Sequence, residues 1–446
     1  MVVMERKSNE FIAIGLMLFA LFFGAGNLIF PVFMGQNSGL NTVEASIGFL
    51  ITGVGLPLLG ILAVCYSGQN LRDLSSRVSP IYGLIFSIAL YLTIGPFFAI
   101  PRTATVSYEI AVAQFVPAGM KTFALYAFAF VFFVISWYLA VSPSKLVDRV
   151  GKYITPFLLI FLAILIVTAF IYPMGNWQAP AEAYNTAGKA FGKALTEGYN
   201  TMDALASLVF GVLVVQSIRM YGAKTEKEVA ISAFKSGLVS TFFMAIIYAS
   251  LCYIGANSVS TIGLQENGAS VLVKVSAYYF GPVGAIILGV IVILACLTTS
   301  IGLIASCAAY FNLLFPKISH KNWATIFSVV SFGVALFGLS AIIAGAIPVL
   351  MFLYPLTVSL IILTFLNNLF NGARCVYACA TAFTIIPALH DAVTTAGINT
   401  GSIGTFMTSL PLANFNIGWL NFFVVGFVIG YVWMLAKRKS EVSMTN

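Results

Sequence analysis

Long apolar runs recur from one end of this chain to the other, separated by short polar joints. No other feature narrows its folding choices as much. A run of about 20 apolar residues is accommodated as a bilayer-spanning helix, because a helix satisfies its backbone N–H and C=O groups internally where no water can. Of the 446 residues 60% are hydrophobic and 8% charged, against roughly a quarter charged in an ordinary soluble domain. The chain lacks the polar surface to fold in water. Its apolar residues are spread over many spans and not gathered in one core, which predicts a single all-α integral membrane domain over residues 1–446.

Twelve spans are predicted, the first six at about 10–35, 43–67, 80–112, 121–141, 152–172 and 198–219. The second six fall at about 232–256, 282–311, 321–339, 341–366, 375–396 and 416–436, and residues 268–281 read as a short helix over the outer face. Alternate joints differ sharply in basic residues. One side receives only Lys121, Lys189, Lys193 and Lys274, Arg102 lies inside a span, and the rest of the 22 Lys and Arg fall on the other side. Cytoplasmic loops carry the excess of Lys and Arg, so both termini are expected in the cytoplasm. Arg6 and Lys7 precede an apolar run that continues past Pro31 without an Ala-x-Ala pattern, and this reads as a retained first helix, not a signal peptide.

The net charge of +8 does not indicate a nucleic-acid partner, since the basic residues sit in joints without interleaved aromatic or glycine-rich motifs. The six cysteines lie in or beside apolar runs and read as small packing residues. An enzyme is not expected: His320 and His390 lie near joints, and neither HExxH nor GxSxG occurs. No selectivity-loop repeat points to a channel.

Span 1 reads FIAIGLMLFALFFGAGNLIFPVFMG, with Gly24, Ala25, Gly26 and Asn27 at its centre and Pro31 beyond. Glycine permits close approach and unusual dihedrals, and proline removes a donor. One reading is a packing notch between helices. The other is a break into two half-helices, whose second half offers free N–H groups to a carboxylate and whose first half offers carbonyls to a cation. Gly24 and Gly26 are two apart, on different helix faces, which favours the break. An inverted repeat places a counterpart interruption in span 6, where Ser207, Phe210 and Gly211 lie near the middle. Span 8 holds Ala295, Thr298 and Thr299, whose hydroxyls either bond carbonyls one turn back or serve as oxygen ligands. Arg102 and Glu109 are seven apart on one face of span 3, which reads either as a structural ion pair or as Glu109 lying near the outer interface, and Asp203 lies early in span 6.

The stretch FALFFGAGNLIFPVFMGQNSG, Phe19 through Gly39, closely resembles the signature of the branched-chain amino acid carriers of the BrnQ (LIVCS) family. The resemblance extends over essentially the whole chain. It implies a LeuT-like fold, with a five-plus-five inverted repeat at about 10–172 and 198–366, discontinuous helices 1 and 6, and two accessory helices at about 375–436. It also implies symport of leucine, isoleucine and valine across the plasma membrane, among membrane lipids and with no obligate protein partner. By the same resemblance Gly24, Ala25 and Gly26 take the substrate carboxylate, and Phe210 with Gly211 lines the side-chain pocket. Carbonyls of Ala20 and Phe23, the carbonyl of Ala295 and the hydroxyls of Thr298 and Thr299 hold Na+. Asn27 matches a second sodium site in some relatives, but span 7 lacks the asparagine that completes it. Some proton-coupled relatives carry a lysine in span 5, which here has none beyond Lys152 at its edge. Sodium coupling is the expectation, and H+ coupling through Asp203 or Glu109 the alternative.

Overall fold

The computed structural model describes residues 2–67, 70–141 and 146–444, with side chains described over 10–67, 70–141 and 156–437. Arg6, Lys7, Lys145, Arg149, Lys152, Arg438 and Lys439 of the orientation count lie outside the described side chains. Among the described residues every regular element is a helix.

The first predicted span is two helices, α1 (Val2–Phe22) and α2 (Ala25–Ser38). A short turn leads to α3 (Thr42–Leu50), which a π-helical turn at Ile51–Gly55 joins to α4 (Leu56–Ser67). The short α5 (Leu71–Ser76) precedes α6 (Pro80–Leu92). There Ser79 Oγ accepts the Tyr82 N–H at 3.0 Å, and Pro80 occupies the first turn, where a missing N–H costs nothing. Span 3 is interrupted, which its sequence reading did not anticipate. A π-helical segment, Thr93–Phe97, contains Gly95 at φ −90°, ψ −126° followed by Pro96, before α7 (Ala99–Ala111).

Next come α8 (Lys121–Val141), α9 (Leu146–Ile171), α10 (Ala187–Tyr199) and α11 (Asp203–Met220). The predicted span 198–219 is therefore the second of two helices, and the chain breaks at Asn200–Met202, upstream of Ser207, Phe210 and Gly211. A reciprocal cap starts α12 (Glu226–Ile262): Thr225 Oγ1 accepts the Glu228 N–H at 3.2 Å, and the Glu228 carboxylate accepts the Thr225 N–H at 3.4 Å. In α13 (Gly268–Leu314) the helix kinks where Gly281 takes φ +64° before Pro282. The predicted outer helix 268–281 is thus the first arm of α13, and its Gly268 sits so close to α2 that a Cβ there would lie 1.9 Å from the Ile29 carbonyl oxygen. The chain finishes with α14 (His320–Ala335), α15 (Leu339–Phe365), α16 (Arg374–Thr395), α17 (Ser402–Ser409) and α18 (Trp419–Met444).

By length and composition, nine helical stretches among the described residues can cross a membrane. Glu10–Phe22 and Pro156–Ile171 are apolar but shorter. The outer faces agree with a lipid setting: α8 exposes Phe123, Phe130 and Tyr138, and α9 exposes Phe157, Ile160 and Ile164. Contiguous apolar surface of this kind is excluded from water and tolerated in hydrocarbon.

Helix α12 runs along both halves of the broken first span. A Cβ on Gly15 of α1 would lie 2.7 Å from the Ser236 carbonyl oxygen, and one on Gly35 of α2 would lie 2.1 Å from that of Cys252. Gly255 returns the contact, its Cβ position 2.0 Å from the Val32 carbonyl oxygen. Small residues let the helix backbones touch, as membrane helices require where no water drives them together. Within the length of that seam Tyr248 of α12 packs edge-on against Phe49 with centroids 5.4 Å apart. All six cysteines are free thiols.

Candidate functional site

Helix α1 stops because its hydrogen-bond ladder is diverted. Phe23 N–H still reaches the Phe19 carbonyl at 2.7 Å, but Gly24 N–H turns to Asn27 Oδ1 at 3.0 Å. The Ala20 carbonyl thereby loses its helical partner. Gly24 is extended at φ −121°, ψ −161°, and α2 restarts at Ala25. The first-turn amides of Ala25 and Gly26 have no partner four residues back, so they form the positive end of a new helix.

The second break is held by a residue from a third helix. Arg102 of α7, only 5% exposed, donates from Nη1 to the Asn200 carbonyl at 2.5 Å and from Nη2 to the Thr201 carbonyl at 3.1 Å. A guanidinium at the carbonyl end of α10 satisfies orphaned acceptors and complements the helix dipole. Met202 then takes the left-handed conformation, φ +67°, ψ +9°, which costs a non-glycine residue roughly 1–2 kcal/mol. The Arg102–Glu109 ion pair, one of the readings their spacing left open, does not form.

Asp203 opens α11 and is 3% exposed. Its Oδ2 accepts from Asn27 Nδ2 at 2.5 Å and from the Tyr248 hydroxyl at 3.1 Å, and Asn27 Nδ2 also contacts that hydroxyl. Asn27 therefore caps the first break and ties it to the second. Tyr248 escaped the sequence reading because a tyrosine in an apolar run carries no local mark. Thr299 completes the junction: a Cβ on Gly24 would lie 3.3 Å from its Oγ1. Thr298 and Thr299 both donate to the Ala295 carbonyl, at 2.7 and 3.2 Å, which leaves their oxygens' lone pairs to accept or ligate.

Between the two breaks lies a small cavity of about 40 Å³. Gly24, Ala25, Gly26, Asn27, Phe210 and Thr299 line it, together with Arg102, Thr201, Met202 and Asp203. Phe22, Ile94, Phe210 and Leu303 give it an apolar wall, with the rings of Phe22 and Phe210 5.9 Å apart. Ala20, Phe23, Ala295 and Thr298 do not line it. Ser207 and Gly211 lie elsewhere. Ser207 Oγ bonds the Ala204 carbonyl at 2.7 Å and fills the space beside Gly60, and a Cβ on Gly211 would meet Val64 at 2.6 Å, so both residues pack against α4.

The family model described as branched-chain amino acid transport protein matches residues 7–437. The branched-chain amino acid permease BrnQ of Bacillus subtilis is 46% identical over 98% of this chain and 100% of its own length. The BraB permease of the same organism is 44% identical over 98% of each chain, and the branched-chain amino acid transport system 2 carrier protein of Pseudomonas aeruginosa is 37% identical over 98% and 99%. These relatives are permeases and carriers, not enzymes. Two solved structures share the fold at 15% identity: MhsT in complex with L-phenylalanine, with TM-score 0.56 over 95% of this chain and 98% of that one, and the nucleobase-cation-symport transporter Mhp1, with TM-score 0.62 over 96% and 93%. With a family model spanning almost the whole sequence and relatives above 40% identity, the chain belongs to the branched-chain amino acid transport protein family.

Proposed function

We propose that this protein is a secondary active symporter that imports leucine, isoleucine and valine across the plasma membrane together with Na+. The observation that carries this reading is the meeting of two broken helices and the Thr299 hydroxyl around one cavity with an apolar wall. In the proposed arrangement twelve helices cross the bilayer, both termini are cytoplasmic, repeats 10–172 and 198–366 are inverted copies, and helices in 375–436 are accessory. The substrate carboxylate meets the amides at the start of α2, and the aliphatic side chain lies against Phe22, Phe210 and Leu303. Sodium is carried between the freed carbonyls at the end of α1, Ala20 and Phe23, and the oxygens of Ala295, Thr298 and Thr299. An apolar wall separates substrates differing by a methylene by only about 1–3 kcal/mol, so all three branched side chains are accepted.

The test is leucine uptake into proteoliposomes with sodium and proton gradients imposed separately. A sodium gradient alone drives accumulation under this reading; accumulation driven by protons alone in sodium-free medium overturns it. Proton coupling is the second reading, favoured by one observation: Asp203 is a buried carboxylate at the junction of both breaks. Under that reading Asp203→Asn abolishes gradient-driven accumulation and spares exchange of labelled for unlabelled leucine.

A further inference from the structure

Arg102 is a buried cation without an ionic partner. Among the described residues no carboxylate lies within ion-pair reach of it, and the nearest acid across the cavity, Asp203, has its Oδ2 turned to Asn27 and Tyr248. Two of its five N–H donors serve the Asn200 and Thr201 carbonyls, while Nε is buried with no hydrogen-bond partner. The guanidinium stands directly over the start of α2: a Cβ on Gly26 would lie 2.7 Å from Nη2, and the Phe30 ring centroid is 5.1 Å from Cζ. A buried charge left unpaired is costly, and so is a buried donor left unmade. Both deficits are relieved by an anion that enters the cavity above Gly26.

We propose that Arg102 is the ionic partner of the substrate carboxylate, adding a charge-assisted contact through its free Nε edge to the amides of α2 and making the carboxylate the group on which specificity turns. This rests on the reading of the protein as a branched-chain amino acid carrier. It also makes the substrate a bridge: the carboxylate at α2 binds the same guanidinium that holds the carbonyl end of α10, so occupancy of one broken helix is felt at the other.

The test compares leucine with leucinamide, which keeps the side chain and ammonium and lacks the carboxylate, in equilibrium binding to the purified full chain. Wild type favours leucine by about 100-fold. Arg102→Gln lowers leucine affinity by about 10- to 100-fold and leaves leucinamide affinity unchanged or improved, and Arg102→Lys lies between. Leucine affinity in Arg102→Gln within about threefold of wild type, or equal losses for leucine and leucinamide, overturns the proposal, the second result marking Arg102 as a brace for the break alone. If neither Arg102 variant folds, the wild-type comparison decides: leucinamide binding as tightly as leucine overturns the assignment. A folded wild type that binds no branched-chain amino acid removes the carrier reading itself, a distinct outcome.

Discussion

Asn27 concentrates more of the site than any other single side chain. Its Oδ1 caps Gly24, and its Nδ2 reaches Asp203 and Tyr248. Asn27→Ala removes the cap, worth about 1 kcal/mol, and strips donors from a buried carboxylate, at about 1–3 kcal/mol for each unsatisfied group. Leucine uptake should fall at least tenfold, with a lower melting temperature in detergent. Asn27→Asp should be worse, because it replaces the donor by a second carboxylate facing Asp203; uptake by Asn27→Asp at wild-type rates would show that the tie is dispensable. The two glycines of the break separate in the same way. Gly26→Leu drives a side chain into Arg102, whereas Gly24→Ala meets Thr299 only at 3.3 Å and from an extended backbone that any residue adopts. Gly26→Leu is expected to abolish uptake in a folded protein, and Gly24→Ala to retain it with a weaker response to sodium, both read from initial uptake rates across a sodium titration.

At the scale of elements the two breaks differ in what causes them, and so in what the sequence discloses. The first is local. Gly24, Gly26 and Asn27 lie together, and the residue that diverts the ladder is three positions from the amide it captures. The second is remote. Asn200–Thr201–Met202 contains neither glycine nor proline, and its carbonyls are held by an arginine 98 residues earlier in the chain. Local pattern therefore points to Ser207, Phe210 and Gly211, of which Phe210 lines the cavity while Ser207 and Gly211 let α11 pack on α4. The interruption of span 3 was written plainly as Gly95-Pro96 but is masked by the unbroken hydropathy around it. Spans were legible because the bilayer acts on every residue alike; the cavity was not, because Arg102, Asp203 and Tyr248 acquire meaning only when packed. The glycine seam on α12 bears on the first break, since it splints the half-helices that the break separates. Gly35→Leu or Gly255→Leu forces side chains into carbonyls 2.1 and 2.0 Å from the Cβ positions, and overpacking of this kind costs about 1–3 kcal/mol or more. Both should lower the yield of monodisperse protein and its melting temperature. A substitution there that melts like wild type would mean that α12 gives way and is no splint.

For the whole molecule the proposed arrangement implies linkage between the two proposed cargoes. The carbonyls proposed for sodium end α1, the amides proposed for the carboxylate begin α2, and a two-residue link, Phe23–Gly24, lies between them. Whichever cargo arrives first fixes that link and lowers the conformational cost for the other. Asn27 and Arg102 carry the constraint onward to the α10–α11 break, so both breaks share it. Equilibrium coupling must then be reciprocal: the factor by which saturating sodium tightens leucine equals the factor by which saturating leucine tightens sodium, with couplings of this kind typically about 5- to 150-fold. Titrating leucine in sodium and in a potassium replacement, and then sodium with and without leucine, measures both sides of the square. A leucine affinity indifferent to sodium but dependent on pH would transfer the coupling role from Thr298 and Thr299 to Asp203, without disturbing the shared link between the two halves of the first helix.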